Sequence, residues 1–264
     1  MDAKTADLSL PPPIQDQALP RGDAAARPFP ARPHRPGKQP AESLIALRSP
    51  ESFEADRYRV LWYRIENARP EGPPRVLAIT SATPGDGKTT TAINLAMTIA
   101  STADRTALLI DADLRLSRVT SQLGIADARL LGLADLLVDP DLPFDQVVRQ
   151  RPPSRASFVA AGRSLPSPCD ALRSRRLEQI VERARQRFDF VIFDTPPVVA
   201  VPDCQAIARV VDGVLVVVGA HKTRRRDLQE ALNALDPDKV TGLILNGDDV
   251  PAAHSYGRYY HRRK

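Results

Sequence analysis

Within eight residues the chain places groups suited to holding a polyphosphate: Ala82-Thr83-Pro84-Gly85-Asp86-Gly87-Lys88-Thr89. The spacing is GxxxxGK[ST], with Ala82 standing where the first glycine is usual. Gly85 and Gly87 let the backbone turn so that successive N–H groups face one anion. A helix beginning near Lys88 adds the favourable dipole of its N-terminus. In that arrangement the backbone of Pro84, Gly85, Asp86 and Gly87 wraps the phosphates. Lys88 neutralises β- and γ-oxygens, the Thr89 hydroxyl ligates Mg²⁺, and Thr90 reaches the α-phosphate. ATP and Mg²⁺ are therefore the expected ligands.

Two further segments end in carboxylates. Leu108-Leu109-Ile110 leads into Asp111-Ala112-Asp113-Leu114-Arg115, and Phe190-Val191-Ile192-Phe193 leads into Asp194-Thr195-Pro196-Pro197. A lone aspartate at a strand end is more often a cap or turn former. Three of them beside a phosphate loop point instead to a convergent site. Asp194 suits a Mg²⁺ ligand, direct or through water. Of Asp111 and Asp113, one could orient or deprotonate an attacking hydroxyl while the other supports the metal. The catalytic candidates are thus Lys88, Asp111, Asp113 and Asp194, and the metal candidates Thr89, Asp113 and Asp194.

These groups converge only if the elements carrying them form one sheet. Short apolar runs at Val76–Ser81, Ala107–Asp111, Ser157–Ala161, Phe190–Asp194, Gly213–Val218 and Gly242–Asn246 read as strands buried on both faces. Helix-length segments separate them; Leu177, Ile180, Val181, Ala184 and Phe188 keep a helical period in one. Alternating β and α elements imply an α/β fold with a doubly wound, mainly parallel sheet. Ligands of such sheets bind at the carboxyl ends of the strands, where both the loop and the aspartates lie. Asn246, at the end of the last strand, could contact adenine. Upstream, Tyr58, Leu61, Trp62 and Ile65 form an apolar stripe on a short helix, ended by Arg69-Pro70 and Gly72-Pro73-Pro74.

The chain divides into a proline-rich arm (1–50), an amphipathic helix (51–72), the phosphate-loop domain (73–250) and a basic tail (251–264). Ten of the 25 prolines fall in residues 1–50, a composition that predicts a disordered arm. Of the net charge of +5, the arm contributes +2 and the tail +4, so the middle is near neutral at −1. That distribution argues against a nucleic-acid binder. No apolar run reaches the roughly 18 residues of a membrane span. An acidic, proline-rich start argues against a secretory leader, and two cysteines fit a reduced cytoplasmic setting. Scattered histidines offer no zinc-ligand spacing.

Three of the five tyrosines, Tyr256, Tyr259 and Tyr260, lie in the last nine residues beside Arg258, Arg262, Arg263 and Lys264. No core-forming period explains them. On a flexible basic tail they are reachable phosphoryl acceptors, and the flanking charges would draw the tail to an acidic nucleotide site. A second basic run, His221-Lys222-Thr223-Arg224-Arg225-Arg226, follows the Gly213–Val218 strand. It reads as a solvated loop or a phosphate-contacting patch.

Taken together, Ser81–Asn94, Leu108–Arg115 and Phe190–Pro197 resemble the three Walker-type motifs of the bacterial tyrosine kinase (BY-kinase) family. Gly132-Leu133-Ala134-Asp135-Leu136-Leu137, Val211-Asp212-Gly213-Val214 and the tyrosine cluster resemble family segments as well. The resemblance spans about Asp56 to Lys264. It implies a P-loop NTPase fold of the Min/Par-like branch and ATP-dependent autophosphorylation of tail tyrosines in trans. It also implies a membrane-embedded polysaccharide co-polymerase as activating partner, a role in capsule or exopolysaccharide biosynthesis, and a cytoplasmic protein held peripherally at the inner membrane through that partner. An alternative is a nucleotide-dependent switch or docking ATPase of an export complex without kinase chemistry.

Two departures from the family pattern stand out. The ring-building EX2RX2R helix reads Asp56-x-x-Arg59-x-x-Trp62 here. Asp56 and Arg59 remain candidates for homo-oligomer contacts, while Trp62 belongs to the apolar stripe and cannot supply guanidinium pairing. The tyrosine cluster is also short. The related Min/Par positioning ATPases carry an extra lysine early in the loop; here that position is Thr83, which weighs against that reading.

Overall fold

The protein is described by a computed structural model covering residues 32–33, 39–68, 72, 75–102, 105–125 and 130–247. Its strands are β1 (Arg32–Pro33), β2 (Val76–Ser81), β3 (Ala107–Asp111), β4 (Arg149–Gln150), β5 (Ser157–Val159), β6 (Phe190–Asp194), β7 (Gly213–Gly219) and β8 (Val240–Asn246). Its helices are α1 (Ile45–Arg48), α2 (Phe53–Glu66), α3 (Lys88–Ser101), α4 (Val119–Gln122), α5 (Leu133–Val138), α6 (Pro168–Leu172), α7 (Arg175–Arg187), α8 (Asp203–Ala208) and α9 (Arg225–Asn233). The strands form one sheet in the order β1-β4-β5-β3-β6-β2-β7-β8. All pairings are parallel except β4 with β5.

Each central strand sends alternate side chains to opposite faces, and both faces are covered. Val76, Ala78, Leu108, Ile110, Val191, Phe193, Val214 and Val216 join the core under α5 to α9. Leu77, Ile79, Leu109, Ile192, Leu215 and Val217 join the core under α1 to α4. That double burial is why the strands are unbroken apolar runs rather than alternating ones. The sheet is therefore doubly wound, and the six apolar runs of the sequence all form strands, although β5 stops at Val159 and β8, at the sheet edge, leaves Leu243 and Leu245 exposed instead of being buried on both faces. Asp212 fixes the start of β2, its carboxylate accepting from the Arg75 and Val76 amides while pairing with Arg185 at the end of α7.

In α2, the Ser52 hydroxyl caps the first turn by accepting from the Ala55 amide. Its inward stripe includes Trp62 and Ile65; the Trp62 ring meets Phe190 of β6 edge-on at 4.5 Å between centroids. Trp62 thus serves the core.

The arm expected to run unstructured through residue 50 is shorter than that at its inner end. Leu44 is fully buried, and Asn94 of α3 accepts from the Ala46 amide at 2.9 Å while donating to the Ser43 carbonyl at 2.9 Å. A single deeply seated leucine plus a two-way amide clamp orders this segment despite the prolines around it. The rest of the expected arm, apart from Arg32–Pro33, and the basic tail lie outside the described residues. Among the described residues no helix is long and apolar enough to cross a membrane.

Candidate active site

The loop from Ala82 to Gly87 joins the carboxyl end of β2 to α3. Gly85 has φ +83° and Gly87 φ +96°, left-handed conformations that side-chain-bearing residues adopt at a cost. Side chains crowd both positions: a Cβ on Gly85 would lie 2.3 Å from the movable end of Lys222, Nζ, and one on Gly87 2.0 Å from Asn246 Nδ2. Gly87 also caps α3 without a side-chain hydrogen bond, so the first amides of a 14-residue helix stay available at the loop. Asp86, expected among the phosphate-binding residues, spends its carboxylate within the loop. It accepts from the Thr83 amide at 3.0 Å and from the Thr83 hydroxyl at 2.9 Å. Only its backbone is left to face an anion. The Thr90 hydroxyl likewise turns from the loop and donates to Gln122 Oε1 at 3.2 Å.

Strands β3 and β6 are neighbours, and their register pairs Asp111 directly with Asp194. Both residues are fully buried. Asp113 lies two residues further on, where its Oδ1 accepts from the Leu116 amide at 2.9 Å and its Oδ2 from Lys88 Nζ at 3.0 Å. Lys88 Nζ is also 3.9 Å from Asp194 Oδ1 and 3.4 Å from the Thr89 hydroxyl. Lys88, Thr89, Asp111, Asp113 and Asp194, carried by three separate elements, therefore meet at one place, as the sequence predicts.

The carboxylates differ in how they are satisfied. Asp111 Oδ2 accepts from the Ser117 hydroxyl at 2.7 Å and the Val119 amide at 3.3 Å, whereas Oδ1 has no partner. Neither Asp194 oxygen has a hydrogen bond of normal geometry. Burial first, and then the Asp194 charge, pushes the Asp111 carboxyl up to about 7. Burial raises Asp194 to about 6, opposed by Lys88 and the Thr89 hydroxyl. Three buried carboxylate oxygens without a hydrogen bond of normal geometry, beside a threonine hydroxyl, fit a divalent cation of hard-oxygen preference. Among the described residues no three His, Cys, Asp or Glu side chains form a metal cage. Mg²⁺ commonly keeps waters and takes substrate phosphate oxygens, so one or two carboxylates and Thr89 suffice for it.

Several residues at the site carry no separable signal in the sequence. Asp203, fully buried at the start of α8, receives Arg115 Nε at 2.9 Å and Nη2 at 3.1 Å, tying the loop after β3 to α8. Its only clue is position, nine residues past Asp194. Lys222 donates to the Pro84 carbonyl at 3.0 Å, so one member of the basic run does reach the phosphate loop. Asn246, a candidate adenine contact in the sequence, donates its Nδ2 to the Asp86 carbonyl at 2.9 Å and so sits against the phosphate loop. Away from the site, Arg59 pairs with Asp56 one turn earlier and donates to the Pro50 carbonyl at 2.6 Å. Tyr256, Tyr259 and Tyr260 lie outside the described residues.

Comparison with known proteins gives a consistent picture. A family model described as an AAA domain matches residues 74–237. Tyrosine-protein kinase YwqD of Bacillus subtilis (strain 168) is 33% identical over 225 residues, covering 84% of this chain and 93% of YwqD. The succinoglycan biosynthesis transport protein ExoP of Rhizobium meliloti (strain 1021) is 31% identical over 83% of this chain, which spans only 30% of ExoP. Among solved structures, the kinase domain of the Escherichia coli tyrosine kinase ETK is 29% identical with a TM-score of 0.74, covering 85% of this chain and 87% of that one. At 19–20% identity the likeness extends, in fold alone, to septum-site and cell-division ATPases of the Min type.

Proposed function

The chain belongs to the bacterial tyrosine kinase family, and from that premise we propose that it transfers the γ-phosphoryl group of ATP to tyrosine hydroxyls of a second copy of itself. The observation that carries this reading is the meeting of Lys88, Thr89, Asp111, Asp113 and Asp194 at the end of the phosphate loop. Kinship with capsule and exopolysaccharide kinases supports a role in that biosynthesis. It also supports a membrane-embedded co-polymerase as activator and a cytoplasmic position at the inner membrane.

In the proposed reaction the loop amides and the α3 N-terminus hold the triphosphate, and Lys88 leaves Asp113 to face the β- and γ-oxygens. Asp111, with one oxygen still free, accepts the proton of the incoming tyrosine hydroxyl. The tyrosine oxygen bonds to the γ-phosphorus as the bond from that phosphorus to the β,γ-bridging oxygen breaks, and ADP departs. Thr89, Asp113 and Asp194 are the residues that would hold Mg²⁺, which neutralises charge on the transferring group when bound. Tyr256, Tyr259 and Tyr260 are the proposed acceptors, and Asp56 and Arg59 the proposed contacts between copies.

Incubation with ATP and Mg²⁺, alone and with a juxtamembrane peptide of the co-polymerase, followed by mass-spectrometric mapping, tests this. Phosphotyrosine on the tail is expected, and its absence in both mixtures would remove the kinase reading. Lys88→Ala should abolish nucleotide binding and leave the circular dichroism spectrum unchanged, because the ammonium faces the site.

One observation favours a second reading, a nucleotide-dependent switch without kinase chemistry. The third position of the assembly motif is Trp62, which is buried against Phe190 and unavailable to a neighbouring copy. That reading expects Tyr→Phe changes in the tail to leave polysaccharide export intact; an export defect would exclude it.

A further inference from the structure

Lys88 is the cation within the phosphate site, and its charge is already matched. Asp113 lies 3.0 Å and Asp194 3.9 Å from its Nζ, with Asp111 on the adjoining strand. A triphosphate brings more negative charge into the same place, so that even beside a bound divalent cation a further positive group is favourable. The position early in the loop offers no help, because the Thr83 hydroxyl is bound to Asp86.

A second cation stands at the rim. Lys222 is exposed, and its ammonium occupies the space that a Cβ on Gly85 would take, 2.3 Å away. The turn carrying it is tightly tied down. The Gly219 amide donates to the Thr223 hydroxyl at 2.8 Å, the Thr223 amide to the Gly219 carbonyl at 2.9 Å, and the Ala220 amide to the Asn246 carbonyl at 2.7 Å. The Pro84 carbonyl takes one of the ammonium's three donors, at 3.0 Å. Among the described residues, no carboxylate lies within ion-pairing distance of Lys222. A charge held over a phosphate loop by a single neutral carbonyl has donors to spare for an anion.

We propose that Lys222 is a second phosphate-binding cation of the site, supplied by the β7–α9 turn and contacting the polyphosphate of the bound nucleotide. The inference rests on the reading of this loop as an ATP site. It assigns to Lys222 a share of affinity that grows with the number of phosphates.

Calorimetric titration of ATP, ADP and adenosine into the full-length protein, Lys222→Met and Lys222→Arg tests it. The expected result for Lys222→Met is an ATP affinity lowered about tenfold, a smaller loss for ADP and none for adenosine. Its ATP affinity should also depend less on salt than that of the unaltered protein. Lys222→Arg should recover most of the loss, and melting midpoints should stay together. ATP affinity unchanged in Lys222→Met, with normal binding by the unaltered protein, would overturn the proposal alone. Equal losses for ATP, ADP and adenosine would also overturn it, since they would mark Lys222 as a brace for the loop. No nucleotide binding by the unaltered protein would remove the ATP reading and this inference together.

Discussion

Two groups of buried aspartates in this protein live under opposite terms. Asp135 and Asp203 are satisfied. Asp135 accepts from the Gly132 amide, the Arg163 amide and Arg163 Nε, and Asp203 receives a two-pronged bond from Arg115. Asp111 and Asp194 are as deeply buried, yet three of their four oxygens accept no hydrogen bond of normal geometry, Asp194 has only Lys88 at 3.9 Å as an ion pair, and their carboxyls are raised to about 7 and about 6. A buried acid with matched donors holds structure together. A buried acid without them costs stability that the fold does not recover by itself, which is the mark of a site built for something else.

This contrast can be broken by substitution, and the largest effect falls on chemistry. Asp111→Asn removes the proposed proton acceptor and should lower tyrosine phosphorylation by about 10²–10⁴-fold in a timed ATP assay. Asp135→Asn should leave that rate nearly unchanged per folded molecule, and an equal loss in both would erase the distinction.

The next effect is on packing. Trp62→Ala empties a buried ring site and should cost about 3–5 kcal/mol by urea unfolding. Its nucleotide affinity should stay normal, because Trp62 packs against Phe190 in the core beneath α1 to α4. A cost under about 1 kcal/mol would mean that the ring is surface-like rather than core.

Stability against pH sharpens the same comparison at smaller scale. Asp111 and Asp194 titrate higher in the folded protein than the ordinary 3.8, so the native state keeps protons that the unfolded chain has released. Their stabilising contribution is full below about pH 4 and is lost as the pH rises through 6 and 7. Without nucleotide, the melting midpoint should therefore fall from pH 5 to pH 8. Asp111→Asn should raise the midpoint at pH 8 by about 3–6 °C, whereas Asp135→Asn should lower it by a similar amount. Parallel shifts in the two variants would contradict the contrast.

How much of this was readable beforehand follows from where the information sits. β2, β3 and β6 were legible to the residue because strands buried on both faces must be apolar throughout. β1 and β4 were not, being Arg32–Pro33 and Arg149–Gln150, two residues each with no apolar run. The Leu44 anchor was hidden by the prolines around it. Within the site, the Gly85–Thr89 spacing and the strand-end aspartates were legible because backbone geometry dictates them locally. The bonds from Lys222 to Pro84 and from Asn246 to Asp86 join residues 138 and 160 positions apart, a separation at which no local pattern survives. The bonds of the Asp86 carboxylate to Thr83 and of the Thr90 hydroxyl to Gln122 were not legible, since spacing locates a side chain without saying which neighbour claims it.

The proposed function makes one central assertion: the buried carboxylates of Asp111 and Asp194 belong to the pocket that takes a magnesium–nucleotide complex. Calorimetric titration of Mg·ADP at pH 6.5, in two buffers of different ionisation enthalpy, examines that assertion itself. Binding should expel protons from Asp111 and Asp194 as the cation arrives, with a release that disappears when Mg²⁺ is omitted and shrinks in Asp194→Asn. Binding that is indifferent to Mg²⁺, with no proton released and no change in Asp194→Asn, would contradict it.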